Sequence, residues 1–75
     1  MSYIQPVQIK FIHSGSHEIL MKLTRIDTIP RIGETININD HSKNKMLEYT
    51  VKNVSYTYMI DRYDTKWLAT INIYI

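Results

Sequence analysis

The chain has 75 residues, a formal net charge of +2 and no cysteine. A chain of this length is expected to form one domain, spanning residues 1–75, and to bury about 60 to 65 per cent of the surface that the unfolded chain exposes. The lack of cysteine excludes disulfide bonds and thiolate metal clusters, which often support small domains. No early apolar run is long enough for a signal peptide or a membrane span, so we expect a cytoplasmic protein with no membrane partner.

The first half of the chain predicts two strands that form a hairpin. The first strand runs from about Gln5 to His13, and the turn Ser14-Gly15-Ser16 joins it to the second. In the second strand the alternation of apolar and polar residues shifts by one position between Thr24 and Ile26. A bulge or a sharp bend is expected there, because either would restore the phase.

The second half predicts three more strands. The turn Pro30-Arg31-Ile32-Gly33 leads into a short third strand, Glu34 to Asn39, because Pro30 fixes φ and Gly33 can adopt positive φ. A polar loop precedes a long fourth strand whose phase slips at Lys52-Asn53, which indicates a bulge. The last loop is Asp61 to Thr65. The terminal strand then alternates, with an inward set Trp67, Ala69, Ile71, Ile73 and Ile75 and an outward set Leu68, Thr70, Asn72 and Tyr74.

These patterns predict an all-β fold, a small five-stranded antiparallel barrel. No apolar stripe at helical spacing persists over three turns. Two bent strands favour a curled sheet, because a flat sheet of this size would expose an apolar face and two long edges. The barrel is expected to be SH3-like or OB-like. These two folds differ in strand order, which the alternation of side chains does not reveal. The terminal strand is so apolar that we expect the domain to be complete as given.

Two short motifs resemble a pattern of short all-β proteins of bacteriophages and mobile elements, of SH3-like barrel type. The motifs are Pro30-x-x-Gly33-Glu34-x-Ile36 and Tyr49-x-Val51-x-x-Val54, and the match covers roughly residues 29 to 56. The resemblance implies a small accessory protein that binds or inhibits a host protein. It carries no catalytic residue to transfer.

The sequence predicts no catalytic, metal or cofactor site. His13 and His17 flank the first turn, and a three-residue loop would set their Cβ atoms about 4.5 to 5.5 Å apart. A structural zinc site needs about four ligands, so a solvated hairpin tip is expected instead. The acidic residues are spread over separate elements, and neither a serine elbow nor a glycine-rich phosphate loop is present. The protein is therefore not expected to be an enzyme.

The six tyrosines divide into two groups. An inward group, expected to fill the barrel, contains Tyr49, Tyr56 and Tyr58. An outward group, expected to form an exposed patch, contains Tyr3, Tyr63 and Tyr74 together with Ile12, Leu20 and Leu68.

The exposed patch predicts a non-catalytic module that binds a protein partner. Tyrosine and arginine are enriched in protein interfaces, so Arg62, Tyr63 and Tyr74 are predicted contacts. Lys43 and Lys45 are predicted rim charges, which lie at the edge of the interface and speed association with the partner. The alternative is a binder of single-stranded nucleic acid, which the scattered basic residues favour less because such binding depends on neutralised phosphates. A homodimer that covers the patch with a second copy remains open.

Overall fold

The computed structural model describes residues 7–75, which form six strands and no helix. The all-β prediction is confirmed, whereas the predicted number of five strands is wrong. None of the described residues forms a helix long and apolar enough to span a membrane. The strands are β1 (Gln8–Ile12), β2 (Ile19–Leu23), β3 (Thr35–Asp40), β4 (Lys45–Thr50), β5 (Asn53–Ile60) and β6 (Lys66–Tyr74).

The strands form two sheets rather than a closed barrel. Four strands lie in the order β2-β1-β6-β5, and β3 pairs with β4 in a separate ribbon. The predicted SH3-like or OB-like barrel is therefore wrong for residues 7–75, and so is the purely antiparallel arrangement, because β1 and β6 are parallel. Alternation of side chains has a period of two in either direction, so it predicts a strand without its orientation.

The sixth strand arises because the predicted long fourth strand changes sheets. The N–H of Val51 donates to the carbonyl oxygen of Glu34 at 2.9 Å, which keeps Val51 in the ribbon. The next N–H, of Lys52, donates to the carbonyl oxygen of Tyr74 at 2.7 Å, which starts the pairing with β6. The phase slip in the sequence therefore marks a crossing between sheets and not a bulge.

One face of the four-stranded sheet carries the core, and we call it the core face and its opposite the outer face. The ribbon packs on this face through Ile36, Ile38 and Tyr49. The predicted inward positions near the end of β6 are confirmed as buried. The buried residues of the core are Ile9, Phe11, Val51, Ile71, Ile73 and Ile75.

A bulge in β6 reverses the predicted faces of its first residues. Thr57 pairs with Thr70 and Tyr58 pairs with Leu68, so Ala69 is an extra residue. Leu68 therefore lies on the core face, where it packs against the core, and Trp67 lies on the outer face. The prediction of Trp67 inward and Leu68 outward is wrong, because strict alternation takes no account of an extra residue.

The strand β2 has its own irregularity, away from the predicted position. Phe11 pairs with Met21 and Ile12 pairs with Ile19, so the register shifts at Leu20. The slip expected after Leu23 lies outside β2, which ends at that residue.

The turn before β3 has the predicted positive φ at Gly33, but its hydrogen-bonded residues are Arg31 to Glu34, one residue later than predicted. Gly33 has φ of 94°, and the N–H of Glu34 donates to the carbonyl oxygen of Arg31 at 3.1 Å. A positive φ at the third position of a four-residue turn is typical of type II, which favours glycine there.

Candidate protein-binding surface

Among residues 7–75, no third strand lies beside the distal half of the β5–β6 hairpin. β1 lies beside β6 only from Thr70 to Tyr74, so residues 58–68 form a two-stranded arm in the part of the chain that the structure describes. The molecule is elongated accordingly, with extents of 46 × 24 × 23 Å. Its radius of gyration is 14.6 Å, against about 11 Å for a compact chain of this length.

The arm exposes large apolar side chains. The row that begins in the core with Val54 continues along the same face through Tyr56, Tyr58 and Ile60. Tyr58 is 63% exposed, Ile60 62% and Tyr63, in the turn, 77%. The expectation that Tyr56 and Tyr58 fill the interior is wrong, because Val54 packs against the core whereas Tyr56 and Tyr58 lie beyond it and are exposed.

Backbone hydrogen bonds to one aspartate shape the turn at the end of the arm. The Asp61 carboxylate accepts the N–H of Tyr63 at 2.8 Å and that of Thr65 at 2.9 Å. Asp64 has φ of 64°, which closes the turn into β6. The predicted last loop, Asp61 to Thr65, is thus a turn held by hydrogen bonds to the Asp61 side chain.

Arg62 and Tyr63 lie together on this turn. The guanidinium carbon of Arg62 is 5.3 Å from the centre of the Tyr63 ring, a distance suited to a cation–π contact. Lys66 approaches Asp64 at 3.8 Å, and both side chains are exposed, so their ion pair adds little stability. The turn thus presents an aromatic ring and a guanidinium group side by side.

The two lysines predicted as rim charges lie at the β3–β4 hairpin. Lys43 is in the turn, and Lys45 is the first residue of β4. This turn lies beside the start of β2, where Lys43 and Leu20 line the same shallow hollow. The Asp40 carboxylate accepts bonds from the hydroxyl and the N–H of Ser42 and from the N–H of Lys43. The Ser42 hydroxyl bond is the main cause that lowers the pKa of Asp40.

The five predicted contact residues do not form one surface. Tyr74 is half-buried on the outer face, opposite Ile12 and Asn53. Eight residue steps along β6 separate Tyr74 from Lys66, or about 26 Å at about 3.3 Å per step. Arg62 and Tyr63 are neighbours on the arm, whereas Lys43 and Lys45 lie together on the β3–β4 hairpin and Tyr74 lies apart from both pairs. Contact of each with a partner remains a prediction, and Tyr3 lies outside the described residues.

The two histidines do not face each other across the first hairpin. The N–H of His13 donates to the carbonyl oxygen of Glu18 at 2.8 Å, while His17 belongs to the turn, with φ of 61°. The His13 ring accepts the Ser16 N–H at 3.2 Å and lies edge-on to Tyr49, with ring centres 6.2 Å apart. The predicted pairing is wrong because the turn is longer than three residues. Residues 7–75 contain no group of three or more side chains arranged to hold a metal.

The main surface missed by sequence reasoning is the uncharged stretch from Tyr56 to Ile60. Tyr56, Tyr58 and Ile60 alternate in step with Val54, which packs against the core, so the alternation predicted that they are buried. The sequence carries no signal of this exposure, because the predicted first strand, Gln5 to His13, is as long as β6, whereas the observed β1 has five residues.

No protein family, curated protein or solved structure matches this chain. The candidate surface therefore stands on its own geometry and chemistry.

Proposed function

We propose that the protein is a non-catalytic binding module whose β5–β6 arm contacts a protein partner. The observation that carries the proposal is the exposure of Tyr58, Ile60 and Tyr63 on a two-stranded arm. Single exposed apolar residues are ordinary, whereas a cluster of them marks an interaction site.

The chemistry of the arm suits a protein interface. Tyrosine offers a large contact area at a low cost in side-chain entropy, and arginine beside it can pair with a carboxylate. Tyr63 and Arg62 supply both groups at the turn, with Lys66 and Asp64 as a polar rim. Nucleic-acid binding is less favoured, because only Arg62 and Lys66 supply positive charge among residues 58–68.

The resemblance to short phage and mobile-element proteins supports a host protein as the partner. In that case the module acts as an accessory factor or inhibitor, and burial of the arm in a groove of the host protein blocks that groove. Gly33 at positive φ fits the turn on which the resemblance is based.

Alanine substitutions in the arm test this function. Immobilised protein is incubated with lysate of the native host, and the captured protein is identified and titrated against each variant. Tyr63→Ala and Tyr58→Ala are expected to weaken the affinity at least about tenfold if these rings are anchors. Both should leave the free energy of unfolding within about 0.5 to 1 kcal/mol, because the rings are exposed.

The matched control is Ile32→Ala, a 66% exposed position before β3. It should retain the affinity of the parent protein. Equal affinity of the arm variants and this control would contradict the proposal.

A titration of single-stranded DNA and RNA distinguishes the alternative function. Mixed-sequence oligonucleotides are expected to bind no better than about 10⁻⁴ to 10⁻⁶ M at physiological salt, the range of non-specific binding. Nanomolar affinity that falls steeply between two salt concentrations would favour the nucleic-acid function instead.

A further inference from the structure

In the described part of the chain, the strand β5 is a free sheet edge without the usual protection against pairing. It is the last strand in the order β2-β1-β6-β5, so one side of its backbone has no partner strand among residues 7–75. Its eight residues, Asn53 to Ile60, include no charge and no proline. Proteins normally protect such an edge with charged residues, proline, a bulge or a short strand.

The other edge strands that the structure describes carry such protection. β2 has only five residues, includes Lys22 and is irregular at Leu20. β3 ends in Asp40, and β4 contains both Lys45 and Glu48. β5 is the longest of these edges and differs from them in having no charged side chain.

We propose that the free edge of β5 pairs with β5 of a second copy of this chain. The pairing is antiparallel about a two-fold axis and joins two four-stranded sheets into one of eight strands. The proposal goes beyond the function of the arm and is tested separately from it. Edge pairing uses the backbone of β5 and sets Tyr58 and Ile60 in cross-strand pairs, whereas it leaves the turn at Arg62 and Tyr63 free.

The sequence of β5 is complementary to itself in this arrangement. A two-fold axis perpendicular to the sheet keeps the core faces of both copies on one side, so each residue lies opposite one of the same parity. With Thr57 at the axis, Tyr56 of one copy lies opposite Tyr58 of the other, and Val54 lies opposite Ile60. Cross-strand pairs of aromatic and aliphatic residues are favourable, and no like charges meet.

Self-pairing of β5 places uncharged residues opposite one another throughout the strand, with Ser55 opposite Met59 on the outer face. Self-pairing of β4 in a similar way would set charged residues within the ladder, and β2 would bring Lys22 near its copy. The edge is about 26 Å long at about 3.3 Å per residue. An interface of this size is below the standard of roughly 800 Å² per partner, so we expect a micromolar dissociation constant.

Sedimentation equilibrium with charged variants tests the dimer. The parent protein should show a reversible equilibrium between monomer and dimer over the micromolar range. Tyr56→Lys/Tyr58→Lys and Tyr56→Glu/Tyr58→Glu should each be monomeric, since like charges then face one another. An equimolar mixture of the two should restore a dimer, because the charges become complementary.

The matched control is Ile32→Lys/Met46→Lys, which places two lysines at positions 66% and 64% exposed and outside β5. It should dimerise like the parent. A parent protein that remains monomeric at the highest concentration would overturn the proposal, as would a Tyr56→Lys/Tyr58→Lys variant that dimerises like the parent.

Disulfide trapping tests the register without charged substitutions, so it also serves if a charged variant fails to fold. The chain has no cysteine, so Thr57→Cys adds one thiol per chain. At the axis the two Cα atoms should lie about 4.5 to 5.5 Å apart, within the range of a disulfide. In Met59→Cys the two positions are four residue steps apart, about 13 Å. Mild oxidation should cross-link Thr57→Cys and not Met59→Cys, and the reverse result would overturn the register.

Discussion

Two aspartates perform the same local task at opposite hairpins. Asp40 and Asp61 each begin a turn and accept backbone N–H groups from the residues that follow. Each turn then closes with a residue at positive φ, Asn44 with 51° and Asp64 with 64°. Asparagine and aspartate tolerate this conformation better than other side chains. Both loops are therefore ordered by their own side chains, although both are exposed.

The pKa of Asp40 should depend on the Ser42 hydroxyl. That hydrogen bond favours the carboxylate and is the main cause of the lowered pKa. Its stabilising effect is therefore present above the ordinary pKa of an aspartate and is lost as the pH falls through the lowered value. Ser42→Ala is expected to raise the pKa of Asp40 toward its ordinary value, as measured by NMR titration of the carboxyl carbon. Ser42→Thr is the control, since it keeps a hydroxyl, and an unchanged pKa in Ser42→Ala would contradict this cause.

At the scale of the element, one extra residue decides which side chains of β6 reach the core. The sequence predicts correctly that Ile71, Ile73 and Ile75 are buried, because regular alternation holds there. It fails before Ala69, since a bulge changes the parity without changing residue types. Alternation also fails for the arm, because Tyr56 and Tyr58 continue the alternation of Val54 in sequence but lie beyond the residues that pack on the core. Arg62 and Tyr63 were predictable as exposed residues because a turn requires exposure.

Leu68 and Leu20 provide a matched test of the bulge. Alternation places both on outward positions, whereas the structure packs Leu68 against the core and leaves Leu20 exposed. Leu68→Ala should lower the free energy of unfolding by about 1 to 3 kcal/mol, and Leu20→Ala by less than about 1 kcal/mol. Urea unfolding of the two variants measures the difference. Equal losses, or a larger loss for Leu20→Ala, would mean that the bulge does not hold Leu68 on the core.

At the scale of the whole molecule, the end of the chain ties β6 to β1 and contributes two of the most buried core residues. Ile73 and Ile75 are fully buried in the core. The Ile75 backbone donates to the carbonyl oxygen of Ile12 at 2.9 Å and accepts the N–H of Ser14 at 2.7 Å. The positions of these residues were predictable from the sequence, but their partners were not, because parallel pairing of distant strands leaves no local pattern.

Removal of Ile73, Tyr74 and Ile75 is expected to unfold the protein. Burial of one large aliphatic side chain contributes roughly 1.5 to 3 kcal/mol, and a small domain has only about 5 kcal/mol in total. Thermal melting followed by circular dichroism should show no cooperative transition. Met46→Ala, at an exposed position of β4, is the control and should melt like the parent. A truncated chain that melts cooperatively near the parent temperature would contradict the assigned core.

The parallel pair of β1 and β6 also sets the order of events when the chain is made. Ile9 and Phe11 lie opposite Ile71 and Ile73, some sixty residues later in the sequence. On the ribosome β1 therefore has no β6 partner until the chain has been synthesised as far as Tyr74, whereas the β3–β4 hairpin can form from local contacts. Long-range pairing of this kind slows folding and leaves apolar strands exposed until their partner strand has been synthesised. Nascent chains that stall before β6 should accordingly be the form of this protein that chaperones bind and proteases remove.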